Sequence, residues 1–185
     1  MAIWQYGLLV IPKKSIQKKN GNIPSKLIGK KSLLKKITEK IFPKPDIFLP
    51  KTSEYWKNFS PNLNEIENQI DRLVTKGSWS EQTFLAWKGN SEIDEDNDCH
   101  IAIDKKTNQI VEFQFRTDLR KIENIECFLI GMLKICNENE LVLIDEEKNI
   151  LEPKFEILKL KLHESRAIKF LENPEKFITK LANEK

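Results

Sequence analysis

The stretch from Cys99 to Phe115 constrains this chain more than any other. Cys99, Ile101 and Ile103 alternate with His100 and Ala102, and Val111, Phe113 and Phe115 alternate with Glu112 and Gln114. Alternation of period two puts one set of side chains on a core and the other towards water. Lys105-Lys106-Thr107-Asn108 between the two runs supplies the turn of a β-hairpin. A hairpin with one apolar face needs a second layer to cover it.

The remaining segments supply that layer. Residues 3–11 read as a strand ending at Pro12, and residues 12–31, which mix Lys, Asn, Gly and Pro without a period, read as a mobile loop. A short helix is expected from Ser32, with Leu33, Leu34, Ile37 and Ile41 at helical spacing; Pro43, Pro45 and Pro50 then make an extended connector. Asn62 and Glu65 form a capping box for a helix with the stripe Leu63, Ile66, Ile70 and Leu73. Thr83–Lys88 reads as a strand, and Asp118 is expected to cap a long helix whose stripe runs Ile122, Ile125, Phe128 or Leu129, Met132, Leu133 and Cys136. Leu141–Asp145 and Ile150–Leu151 make a second hairpin. Residues 154–163 suit a helix through Phe155, Leu158 and Leu162, or a strand through Leu158, Leu160 and Leu162. Helices over 164–172 and 174–182 close the chain, the second capped by Asn173 with Pro174 first. Hairpins interleaved with helices, with no βαβ rhythm, give an α+β fold: a mainly antiparallel sheet covered by helices. The 185 residues are expected to form one domain, with a lysine-rich, partly irregular segment at about 12–60.

Charge is distributed unevenly. Residues 1–60 carry 13 lysines and 3 acids, while residues 61–185 carry 18 basic and 25 acidic side chains. A basic third invites a nucleic-acid partner. All thirteen of its charges are lysines, however, and lack the planar fork with which arginine reads bases and phosphates. No apolar run approaches the ~18 residues of a membrane span. The apolar opening Met1–Ile11 lacks a basic leader and a small-residue cleavage site, so it reads as a strand and not as a signal peptide. Cys99, Cys127 and Cys136 are odd in number and widely spaced, against a disulfide framework and in favour of a cytoplasmic address.

Each candidate for chemistry fails a specific requirement. Asp94-x-Asp96-x-Asp98 opens like a calcium loop, but Cys99 stands where glycine must turn the chain and Lys105 where a bidentate Glu should close it. The three cysteines with His100 and His163 show no metal-ligand spacing, no Gly-x-Ser-x-Gly elbow accompanies either histidine, and the six glycines form no phosphate loop. Asp98, just before one hairpin strand, and Glu112-x-Gln114 on the other imitate a magnesium-dependent nuclease, in which paired acids hold the metal; the usual lysine is missing. No catalytic residue, metal site or cofactor is therefore assigned, and the chain is not expected to be an enzyme.

Two stretches point elsewhere. One is Phe113-Gln114-Phe115-Arg116-Thr117-Asp118, followed by a helix; the other runs from Ser165-Arg166-Ala167-Ile168-Lys169-Phe170 to Asn173-Pro174-Glu175-Lys176-Phe177. Together they resemble the small cytoplasmic immunity proteins encoded beside bacterial polymorphic and contact-dependent toxins. The resemblance covers about residues 79–182; the lysine-rich 12–60 segment has no counterpart in it.

That resemblance implies stoichiometric binding: one cognate toxin domain is held and its active site or substrate entry blocked, which needs no catalytic side chain. Nuclease toxins are basic, so the acidic loop Glu92, Asp94, Glu95, Asp96 and Asp98 becomes the expected contact. Trp79 and Arg116 are the further candidates for partner binding. Each has a plainer alternative: a solvated loop, a lid on the core for Trp79, and for Arg116 the neutralising of neighbouring acids at a strand-to-helix junction. A nucleic-acid-binding protein and a divergent magnesium-dependent nuclease stay open beside the immunity reading.

Overall fold

Leu8-Leu9-Val10-Ile11 is apolar at both parities, so a strand built from it must be covered on both faces. The computed structural model describes residues 2–27, 52–57 and 59–183, with side chains through Thr179. In it β1 (Gln5–Pro12) is buried along its whole length. The strand lies inside an antiparallel sheet with β2 (Phe84–Lys88), β3 (Asp98–Ile103), β4 (Ile110–Asp118), β5 (Leu141–Ile144) and β6 (Ile150–Leu151), in the order β2-β3-β4-β1-β5-β6. The α+β architecture expected of the hairpins is the one found.

Alternation along β1 divides the core in two. Leu8 and Val10 join Trp87, Ile101, Phe113 and Phe115 in the larger cluster. It is closed by α3 (Leu63–Ile70), by α5 (Ile130–Glu138) and by α6 (Phe155–Glu164), through Ile66, Leu133 and Leu158 among others. Leu9 and Ile11 face the other way, with Val142, Ile144, Tyr55 of α2 (Ser53–Trp56) and Ile16 of α1 (Lys13–Asn20). Two further helices, α7 (Arg166–Glu172) and α8 (Pro174–Asn183), end the described chain. The outer strands do not leave free edges. Thr75 and Gly77 hydrogen-bond along β2, and Ser25 and Leu27 along the β5–β6 hairpin.

Four local expectations are corrected. Lys13–Asn20 is helical and not loop; it carries only one buried residue, Ile16, too few to print a period, and stops at Gly21, whose φ of 78° is left-handed. The hairpin register slips between Ala102 and Ile103: Ala102 pairs with Glu112 but Ile103 with Ile110, leaving Val111 as the bulged residue. Ile110 therefore takes the core position expected of Val111, whose carbonyl accepts a bond from Thr52 Oγ1 at 3.0 Å. Asp118 is the last residue of β4, and α4 (Ile122–Asn124) starts behind Lys121 without a side-chain cap. A π turn (Ile125–Leu129) joins α4 to α5, buries both Phe128 and Leu129, and leaves Ile122 exposed outside the stripe assigned to it.

Elsewhere the sequence pattern is realised. Asn62 Oδ1 accepts the Glu65 amide, Asn173 Oδ1 accepts that of Lys176, and residues 155–164 settle as helix, with Leu158 and Leu162 buried and Leu160 70% exposed. The helix expected from Ser32 and the proline connector at Pro43–Pro50 lie outside the described residues. Among the described residues no helix is long and apolar enough to cross a membrane.

Candidate functional site

The acidic segment leaves β2 at Gly89 and returns to β3 at Asp98, and almost every polar group along it is tied down. Asn90 caps a single 3₁₀ turn (Ser91–Ile93) by accepting the Glu92 amide at 2.9 Å. Asp94 then adopts a left-handed conformation, φ 55°, which Asp tolerates better than most residues. The amide of Glu95 bonds back to the Asn90 carbonyl at 3.0 Å, and that of Gly89 to the Asn97 carbonyl at 2.7 Å. Asn97, buried, accepts the Asp118 amide on its side-chain oxygen at 2.9 Å.

A second set of bonds fixes the loop to the start of the helical layer. Asp118 is fully buried; its carboxylate accepts the Asp96 amide at 3.1 Å and is gripped by Arg120. Burial opposes the charge on Asp118, but the hydrogen bonds from the Arg120 side chain and from the Arg120 and Asp96 backbone outweigh it, so its carboxyl lies below the ordinary range. Arg120 reaches on to Asp94, through Nη1 at 2.7 Å to the carboxylate and Nη2 at 3.2 Å to the carbonyl, while its guanidinium lies 4.8 Å from the Trp4 ring centre. Lys121 Nζ donates to the Ile93 carbonyl at 2.8 Å.

The five acids proposed from sequence therefore do different things. Asp98 is 5% exposed and is held by Arg116 Nε at 2.7 Å and Gln5 Nε2 at 3.1 Å. Half-buried Asp96 accepts from Trp4 Nε1 at 3.1 Å and pairs with Lys88. Glu95 accepts from the Asn97 side chain at 2.6 Å. Only Glu92 and Asp94 stand in solvent, on either side of exposed Ile93. Arg116 neutralises Asp98 from the neighbouring strand, which is the plainer of its two readings. Trp79 is 55% exposed but lies against Gly77, towards the Phe84 end of β2, whereas the loop leaves from the Lys88 end. The structure thus brings Glu92, Asp94, Glu95, Asp96, Asp98 and Arg116 together and leaves Trp79 apart. Sequence reasoning missed Trp4, Asn97, Asp118 and Arg120 as the braces and Ile93 as the tip; no periodicity marks them, because their partners are remote in the chain.

The nuclease arrangement does not converge. Asp98 is paired with Arg116, four residues along β4 from Glu112, a separation of about 13 Å at the rise of a strand. Glu112 instead binds His100 Nε2 at 2.7 Å, a hydrogen bond that lowers its carboxyl below the usual value, and His100 stacks on Phe84. Among the described residues no group of three or more His, Cys, Asp or Glu side chains could hold a metal ion. Cys99 and Cys136 are buried, and burial raises both thiols. Three of the described lysines in the basic third are paired, Lys13 with Glu152, Lys14 with Glu140 and Lys19 with Glu54. Seven others, from Lys30 to Lys51, lie outside the described residues.

No family model, curated protein or solved structure matches this chain.

Proposed function

We propose that this chain is an immunity-type binding protein that neutralises one cognate, basic bacterial toxin domain in the cytoplasm by stoichiometric association. The observation that carries the reading is the bracing of the acidic loop by Arg120, Lys121 and Asp118, which holds Glu92, Ile93 and Asp94 out in one conformation. A loop ordered before binding loses little freedom on association, so more of its contact energy appears as affinity. Exposed carboxylates speed encounter with a cationic surface, and the aliphatic tip between them supplies short-range contact once the two meet. Occupying the toxin's active site or its substrate entrance asks for no catalytic side chain and no cofactor. The resemblance over about residues 79–182 supports the same class of partner.

Co-expression tests the reading in the cell. A host carrying the toxin domain encoded beside this chain's gene should grow when the intact chain is present, and Glu92→Lys with Ile93→Lys, both at exposed positions outside the Arg120 brace, should abolish protection while the chain still accumulates. Growth arrest in the presence of the intact, folded chain would remove the proposal.

A further inference from the structure

We infer that the docking surface extends from the loop tip onto the outer face of α4, the π turn and α5. Together they form an isoleucine stripe with an acidic rim, which fits a protein partner bearing an aliphatic recess ringed by lysine or arginine. The inference rests on the proposed function and specifies the partner's surface. Ile93 is 63% exposed, Ile122 59% and Ile130 42%; one exposed apolar side chain is ordinary, and it is their grouping on one surface that points to a partner. Lys121 joins the first two: its ammonium donates to the Ile93 carbonyl at 2.8 Å, and Ile122 is the next residue. Ile130 follows eight residues later, and the π turn absorbs one of them, so Ile122 and Ile130 stand on one stripe two turns apart. The same π turn takes Ile122 out of the core that its sequence spacing assigns it.

Charge selects the partner. Glu92, Glu123 and Glu126 are exposed around the stripe and, among the described residues, none is in an ion pair. The cations nearby are already engaged, Arg120 and Lys121 by Asp94 and Lys134 by Glu138. Uncompensated carboxylates repel phosphate backbones and anionic membranes, which leaves a cationic protein surface as the complement. An apolar centre within a charged rim is also the usual composition of a transient protein interface.

The test is surface-resonance kinetics of the purified, adjacently encoded toxin domain on immobilised wild-type chain and on two double variants, at low and high salt. Both pairs are exposed, so thermal melts should match wild type. Ile122→Ser with Ile130→Ser should speed dissociation about tenfold or more with association nearly unchanged. Glu123→Gln with Glu126→Gln should slow association several-fold at low salt, with the difference closing at high salt. Wild-type kinetics in both pairs, with loss of binding in Ile93→Ser, would confine the contact to the loop and overturn the inference while leaving the proposed function standing. No binding by the wild-type chain would defeat the proposed function and this surface with it.

Discussion

Arg120 grips Asp118 through two nitrogens, Nε 2.9 Å from one carboxylate oxygen and Nη2 2.7 Å from the other, and its remaining nitrogen reaches Asp94 at 2.7 Å. One side chain thus ties the end of β4 to the tip of the acidic loop. The planar fork is what makes this possible; a lysine ammonium could satisfy one acid well but not both.

Breaking this grip should cost stability. Arg120→Ala removes the counter-charge of the buried Asp118 carboxylate, which keeps only its backbone N–H donors, a loss of about 2–4 kcal/mol in urea titration, somewhat under the usual range for a broken buried pair because Arg120 keeps partial access to water. The pH dependence follows from the lowered carboxyl of Asp118. Its contribution is whole above about pH 4, the ordinary carboxyl value, and disappears as pH falls through the lower folded-state value. Wild type should therefore lose stability on acidification, and Asp118→Asn should lack that part of the slope.

The bulge makes a prediction in which neighbours differ. Phe113→Ala should cost about 3–5 kcal/mol and Ile110→Ala about 2–4, because both side chains are buried in the larger cluster. Val111→Ala should cost about 1 or less, since Val111 is only half-buried. Equal losses at Ile110 and Val111 would mean an unbroken ladder.

The loop acids should separate into two classes. Asp96→Asn and Asp98→Asn each weaken bonds that brace the fold and should lower stability by about 1–3 kcal/mol. Glu92→Gln should leave the melting temperature unchanged and act only on association, most strongly at low salt. Thermal melts beside binding kinetics distinguish the classes, and a destabilised Glu92→Gln would show that the tip is part of the scaffold.

What the sequence made legible was chiefly what repeats. Alternation at 99–103 and 111–115 placed the central hairpin, and the side-chain caps Asn62 and Asn173 placed two helix starts, because these signals are local. The failures are places where a long-range contact overrides the local pattern. Lys13–Asn20 needs only Ile16 to dock, so it shows no stripe. One bulged residue moves Ile110 into the core, and one π turn resolves Phe128 against Leu129 by burying both. The acidity of the loop was visible; its division into bracing and presented carboxylates was not, since Trp4, Arg116 and Arg120 reach it from distant parts of the chain.

The most direct measurement is a calorimetric titration of the product of the adjacent gene, the toxin domain of the proposed function, with this chain, with the turnover of that product followed in parallel. Binding should saturate at one chain per toxin domain, and residual turnover should fall in proportion to the bound fraction, reaching zero at equivalence. Saturation with turnover intact, or no heat and undiminished turnover with the toxin in the micromolar range, would contradict the account.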